Sequence, residues 1–358
     1  MRRVIYMFFL CLCVTNLYSQ KDKKDKKDTA RTLDPALDLF NAASKLQDSL
    51  HYKEAIKLYE KAAKKRKNFA EAYNRIASCY LEMKDYEHAQ KNLELVLQIQ
   101  PDNYNCIKYL GRACYINKKY SEAKKYYDDA EKLDPTDPEL LCFIAELRAF
   151  GQDDKGALEL YNQVLFDKEN YAMAYLDRGL LKYKMKQYSY AIKDMEQGLK
   201  LYKYQRIDAD VYTKLAQAKF ETGDFKGAVK VFDTLVRRDA KSEFALTYRG
   251  ASKIEVGDFS GAISDLDEAI KVNEKSYVAY NFRGTAKAGM KQYLPALKDF
   301  DQAIKIKFDY PSTYVNRAAV KMASKDRKGA CEDLNKADQL GSSVAYKLIQ
   351  QYCGGTDY

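Results

Sequence analysis

An all-α solenoid of antiparallel helix pairs is the fold class this sequence predicts, and three observations carry it. The first is a period. Counting from Ala55, equivalent alanines recur at Ala89, Ala123, Ala157, Ala191, Ala228, Ala262, Ala296 and Ala330, at steps of 34 residues apart from one of 37. The second is composition: 16 Gly and 6 Pro among 358 residues exclude collagen-like, linker-like and turn-rich β architectures. The third is that several columns of the period agree in size and shape. Apolar residues at 46% suffice for a core, and 31% charged residues keep the surface wet.

With the alanine at position 20, nine units start at 36, 70, 104, 138, 172, 209, 243, 277 and 311. Position 8 is always small: Ala43, Ala77, Gly111, Ala145, Gly179, Ala216, Gly250, Gly284 and Ala318. Position 17 is aromatic in most units, as at Tyr52, Tyr120, Phe225 and Tyr293, and position 24 is large and apolar, as at Tyr59, Tyr127, Phe232 and Phe300. Position 4 carries Tyr73, Tyr175, Tyr212, Tyr280 and Tyr314. Small residues at 8 and 20 let two helices approach, and the bulky ones fill the space around that contact.

This pattern resembles the tetratricopeptide repeat, whose helix–turn–helix unit has the same length and the same small–aromatic–small order. The resemblance covers 36–344 and implies a right-handed superhelical solenoid. Tyr or an aliphatic replaces Trp at position 4, and the terminal proline is present only at Pro101 and Pro135. The expected organisation is units one to five over 36–208, units six to nine over 209–344, and a cap helix with a tail over 345–358. Ser342 to Cys353, with Val344, Leu348 and Tyr352 at helical spacing, reads as that cap, covering the last apolar face. The irregular step lies in Leu201–Asp208 and reads as a longer loop or as a hinge between sub-arrays.

At the N-terminus, Arg2 and Arg3 precede an apolar run from Val4 to Val14. That is too short to span a bilayer and fits a secretory signal over 1–19, cleaved after Ser19, with a retained membrane anchor as the alternative. Neither Cys11 nor Cys13 sits in a good lipoprotein box. Residues 20–35, centred on KDKKDKKD, read as a charged, disordered tether. The expected location is therefore exported: a bacterial periplasm, the outer-membrane periphery or the extracellular space. Peripheral envelope association is compatible with this, and no transmembrane segment is expected after processing.

The net charge of +10 is mostly a tail effect, since residues 1–31 alone carry eight basic and three acidic side chains. A nucleic-acid domain concentrates basic charge on a folded face, so no nucleic-acid partner is expected. Only His51 and His88 are present, which excludes a Ser-His-Asp relay and a three-histidine zinc site. There is no C-x-x-C pair and no phosphate-binding glycine loop. No catalytic residue, metal or cofactor is expected.

Arg occupies position 7 in four units, and Asp occupies position 23 in the same four. This predicts the pairs Arg178–Asp194, Arg249–Asp265, Arg283–Asp299 and Arg317–Asp333. Lys182, Lys219, Lys253, Lys287 and Lys321 lie one turn beyond, at position 11, so the alternative is a basic ridge for an anionic glycan or lipid. Cys331 and Cys353 are expected to be bridged if the cap helix is antiparallel, with two unrelated thiols as the alternative.

Family geometry implies that first helices line the concave surface, with positions 2, 5, 9, 12 and 13 facing inward. In early units these positions are mixed, and include Lys108, Arg112 and Glu146. Phe143 follows where the family's carboxylate clamp for chaperone tails wants a polar group, so the clamp is absent. From unit five onward the inward positions turn apolar: Met173, Leu176, Leu180, Tyr183, Phe220, Phe244 and Ile254 form the candidate partner site, with packing between units as the alternative reading. The expected partner is a protein or peptide, held without chemistry. The runner-up is an envelope carbohydrate- or lipid-binding protein that uses the Arg/Lys ridge.

Overall fold

A computed structural model of the chain describes residues 34–202 and 207–354. The expected signal peptide, most of the tether, the centre of the 201–208 insertion and the last tail residues lie outside the described residues. Every regular element among those described is an α-helix. The first four pairs are α1 (Pro35–Asp48) with α2 (Tyr52–Lys65), α3 (Ala70–Glu82) with α4 (Tyr86–Ile99), α5 (Tyr104–Ile116) with α6 (Tyr120–Leu133), and α7 (Pro138–Phe150) with α8 (Asp154–Asp167). The fifth and sixth are α9 (Ala172–Lys184) with α10 (Tyr188–Leu201) and α11 (Ala209–Glu221) with α12 (Phe225–Arg238). Then come α13 (Glu243–Glu255) with α14 (Phe259–Val272), α15 (Tyr277–Gly289) with α16 (Tyr293–Ile306), and α17 (Pro311–Ala323) with α18 (Arg327–Gln339). The cap is α19 (Ser343–Tyr352), flanked by Ser342 and Cys353 as the sequence predicts; the Ser342 hydroxyl accepts from the Ala345 amide and sets the helix start.

The columns of the period have direct packing causes. Position 8 must be small because position 24 of the same unit lies on it. A Cβ added at Gly111 would come within 2.6 Å of the Tyr127 ring, and one at Gly284 within 2.8 Å of the Phe300 ring. Tyr59, Tyr127, Phe232, Phe300, Leu266 and Met195, all at position 24, are among the largest fully buried side chains. The turn between paired helices repeats as well. Position 15 is left-handed in all nine units, through Leu50, Lys84, Lys118, Gln152, Lys186, Gly223, Gly257, Lys291 and Lys325, with φ from 59° to 82°. The Lys84 amide donates to Leu81 and the Asp85 amide to Tyr80, which closes the first helix of unit two in a Schellman turn. Only two of the nine residues are glycine, so seven units hold an L side chain where the backbone disfavours it.

The described residues form two compact bodies. One comprises residues 34–181 with 197–202, and the other residues 182–196 with 207–354. The division thus falls inside the fifth helix pair rather than at 208/209. The physical reason is visible in α9 and α10, whose facing ends bond to unit six: Tyr183 donates to Gln217, and Glu196 pairs with Lys219.

In the C-terminal body the core ends on α19, where Ala345, Leu348, Ile349 and Cys353 pack against Tyr314, Leu334 and Ala337. Cys331 and Cys353 are joined by a disulfide with their Cα atoms 5.9 Å apart. Cys79, Cys106, Cys114 and Cys142, all in the N-terminal body, are free and buried.

Candidate partner-binding face

Successive first helices touch within each body, as α5 does α7, α13 does α15, and α15 does α17. Among the described residues no comparable contact joins α2 to α4, α4 to α6, α6 to α8, α12 to α14, α14 to α16 or α16 to α18. First helices therefore line the tighter, inner side, and side chains pointing away from the second helices face whatever binds there.

In the C-terminal body the ridge cations point the other way. Arg249 donates from Nε and Nη2 to both oxygens of Asp265, at 2.8 and 2.6 Å, and from Nη1 to Asp233 at 2.8 Å. Arg283 grips Asp299 at 2.9 and 2.6 Å and Asp267 at 2.7 Å. Arg317 grips Asp333 at 2.8 and 2.5 Å and Asp301 at 2.6 Å. Lys253, Lys287 and Lys321 add a second cation to the same three buried carboxylates, at 2.8, 2.7 and 2.9 Å. Burial opposes the guanidinium charge, and the hydrogen-bonded carboxylates outweigh it, so all three arginines are held above their ordinary range.

Asp233, Asp267 and Asp301 stand at position 25 of the preceding unit, a column that sequence reasoning missed. Each arginine therefore ties three helices: the second helix before it, its own, and the second helix after it. In unit five, Arg178 and Asp194 fall in different compact bodies. Within its own body Arg178 donates to Asn162, again at position 25, at 2.7 Å, and Asp194 accepts from Lys182 at 2.7 Å.

With those cations turned away, the inner side of units five to seven in this body is aromatic. Half-buried Tyr183 donates its hydroxyl to Gln217 at 3.0 Å, and its ring centre lies 5.4 Å from that of Tyr188. Burial pushes its hydroxyl up to about 12. Phe220 meets Tyr248 edge-on at 6.0 Å, and Phe244 lies 4.6 Å from the same ring. Ile254 packs beside Leu246, Leu266 and Ala279. Tyr183, Phe220, Phe244 and Ile254 thus share one side of this body, each half-exposed.

The remaining expected site residues fare differently. Leu176 is fully buried, and its side chain occupies the space a Cβ on Gly198 would need, so it belongs to the core and not to the partner site. Met173 and Leu180 are half-buried in the N-terminal body. Tyr248 and Phe282, whose rings lie 6.4 Å apart, occupy position 6, which the inward set had left out.

The inner side of units three and four, in the N-terminal body, is polar. Lys108 is buried and pairs with Asp137 at 2.6 Å and Glu139 at 2.8 Å, while Tyr104 and Tyr109 donate to the same two carboxylates. Burial alone would raise the Asp137 carboxyl, but bonds from Lys108 and Tyr104 hold it below the usual range. Arg112 is paired with Glu146 and lies over the Phe143 ring, 4.7 Å from its centre. The clamp-like cations of unit three are thus satisfied by the next unit.

Among the described residues no cluster of three or more His, Cys, Asp or Glu side chains is arranged to hold a metal ion. No described helix is long and apolar enough to cross a membrane.

Three tetratricopeptide-repeat models match the chain, over residues 51–110, 105–137 and 176–243. The Hsp70-Hsp90 organising protein of Plasmodium falciparum is 33% identical over 95 residues, 26% of this chain and 38% of that protein. Human protein O-mannosyl-transferase TMTC3 is 26% identical over 205 residues, 53% of this chain and 22% of its own. The chain thus spans well under half the length of these curated relatives. Among solved structures it is similar to YrrB, a TPR protein with an unusual peptide-binding site, at 19% identity and a TM-score of 0.49, covering 52% of this chain and 95% of YrrB. From the matching models and the repeated helix pairs among the described residues, the chain belongs to the tetratricopeptide-repeat family.

Proposed function

We propose that the chain is a non-catalytic scaffold of the cell envelope that holds a protein or peptide on the inner side of its first helices. One observation carries the reading: Tyr183, Phe220, Tyr248 and Phe244 form a half-exposed aromatic strip on a face from which the ridge cations have been turned away. Large aromatic surfaces held on a rigid, polar-rimmed face are the usual anchors of protein recognition. An extended peptide or an amphipathic helix suits a strip of this kind.

The runner-up, a glycan or lipid bound along the Arg/Lys ridge, loses its basis. Arg249, Arg283 and Arg317 are each saturated by two aspartates, with side chains only 17–18% exposed. Export is supported by the Cys331–Cys353 bridge, because such bridges persist in oxidising compartments.

The test is cross-linking of the mature chain in an envelope fraction, at low and high salt, with wild type beside a Phe220→Ala/Phe244→Ala double variant. Groove binding predicts a captured protein that survives high salt and is lost in the double variant. Capture that collapses in salt and ignores the double variant would restore the ridge reading.

A further inference from the structure

At the inner-side positions of units five to seven in the C-terminal body stand three carboxylates, Asp210, Glu221 and Glu255, and two cations, Lys184 and Lys214, so this face is slightly negative although the chain as a whole is strongly positive. Glu221 and Glu255, at position 13 of units six and seven, are exposed and have no ion-pair partner among the described residues. Asp210, at position 2 of unit six, is half-buried, and its nearest cation, Lys214, is 4.0 Å away. Asp210 and Glu221 both act electrostatically on the Tyr183 hydroxyl, and Glu221 acts on that of Tyr248, so the two carboxylates stand around the aromatic strip. The cations of the same first helices at positions 7 and 11 are consumed against second-helix carboxylates, as described above.

Lys214 lies on the strip, and it shows what the strip accepts. Lys214 Nζ lies 5.2 Å from the centre of the Tyr183 ring, held by the ring face, by Gln217 at 3.5 Å and loosely by Asp210. A ring face flanked by carboxylates attracts ammonium and guanidinium groups, and repels carboxylates.

We infer that the partner of this face is an extended, basic peptide: apolar side chains lie on Phe220, Phe244 and Ile254, and a lysine or arginine displaces the loosely held Lys214 from its seat among Tyr183, Asp210 and Gln217, beside Tyr248 and Glu221. The inference rests on the groove reading above and adds the ligand's charge. It is the reverse of what the chain's net charge of +10 would favour through long-range attraction, which makes it sharp. An acidic tail would find only Lys184 and Lys214 here, and Lys214 already lies between the Tyr183 ring and Asp210. The other cations that could receive it are locked in ion pairs, at Lys108 and Arg112 in one body and along the Arg/Lys ladder in the other.

The experiment uses the mature chain and an array of short synthetic peptides matched in apolar content and graded from acidic to basic. Three forms are compared: wild type, Asp210→Asn/Glu221→Gln, and Phe220→Ala/Phe244→Ala, each checked for helicity and thermal midpoint. Asp210→Asn keeps the side-chain shape and removes a carboxylate whose charge burial disfavours, so its thermal midpoint should stay close to that of wild type. Basic peptides should be retained about tenfold better than acidic ones by wild type, and about twofold or less by the carboxylate variant, with neutral peptides unaffected. Equal retention of basic and acidic peptides, a preference for acidic ones, or a basic preference that survives the carboxylate variant overturns the charge assignment and leaves the groove standing. Retention that is indifferent to Phe220→Ala/Phe244→Ala, or no retention of any peptide by wild type, overturns the groove reading itself.

Discussion

Unit three of the N-terminal body and units seven to nine of the C-terminal body use one repeat geometry for opposite surfaces. In unit three, Lys108 and Arg112 stand at positions 5 and 9, on the inner side, and the following unit neutralises them with Asp137, Glu139 and Glu146. In units seven and eight the same positions hold Thr247, Ala251, Asn281 and Thr285, and the cations sit at positions 7 and 11, against the second helices. A cation on the inner side has to be answered by the inner side, which fills that surface with ion pairs. A cation between helices is answered from behind and leaves the inner side free for aromatics. Displacement by two positions along one helix decides whether a face is closed or available.

The largest expected effect tests the ladder behind the open face. Asp299 is buried and holds both Arg283 and Lys287, so Asp299→Ala leaves two cations facing each other in a half-buried site. The cost should be about 3 kcal/mol, read from chemical denaturation. Asp267, the outer partner of Arg283, is half-exposed, and Asp267→Ala should cost less than about 1 kcal/mol. Equal costs for the two would break the distinction between a buried partner and a rim partner.

The two bodies also treat cysteine differently. The N-terminal body buries four free thiols, and burial pushes those of Cys79, Cys106 and Cys114 up to about 12. They should resist alkylation in the native protein, because the reactive thiolate is suppressed. The C-terminal body bridges both of its described cysteines. Cys353→Ser should lower the stability of the cap end by about 3 kcal/mol, seen as a lower thermal midpoint and earlier proteolysis within α19. Rapid native labelling of Cys331 or Cys353 would remove the contrast.

The closed face should carry a pH signature. Asp137 titrates below its ordinary value in the folded state, so its contribution is present above the unfolded value near 3.8 and is lost as pH falls through the lower folded value. Lys108 titrates above its ordinary 10.5 despite burial, because Glu139 and Asp137 outweigh desolvation. Its contribution is present below 10.5 and is lost as pH rises through the folded value. Asp137→Asn should therefore flatten the acid limb of the stability curve of the N-terminal body and leave that of the open face unchanged.

Much of this was legible in the sequence because a repeat averages its own noise. The period, the small residue at position 8 and the Arg/Asp columns all report contacts within one unit, and each is written several times. Contacts between units leave a weaker trace. Asp233, Asp267 and Asp301 belong to the unit before the arginine they bond, so a search inside each unit passes over them. Leu176 was misassigned because its position faces inward in the family pattern, whereas here Gly198 opens a space that draws the side chain into the core. Phe244 is a partial case. Its inward position marks it as a partner contact, but it also packs on Phe232 and Tyr248, so Phe244→Ala should cost about 1–2 kcal/mol of stability beside the loss of partner capture. Phe220→Ala should behave alike.

The left-handed residue at position 15 was silent in the sequence, because lysine and glutamine there carry no turn signal. It offers the smallest effect and a last comparison between the bodies. The turns of the four complete pairs in the N-terminal body are made by Leu50, Lys84, Lys118 and Gln152, all of them L residues at positive φ, whereas two turns of the C-terminal body use Gly223 and Gly257. An L residue there brings its Cβ close to the following carbonyl, and glycine does not. Glycine also gives the unfolded chain more freedom, which returns part of the gain. Lys118→Gly should therefore raise the stability of the N-terminal body by about 0.5–1 kcal/mol, and Gly257→Lys should lower that of the C-terminal body by a similar amount. The two shifts in denaturation midpoint should be opposite in sign and close in size. If Lys118→Gly is instead destabilising, that lysine's stem contributes packing that outweighs the backbone strain, and the turns of the two bodies are not equivalent.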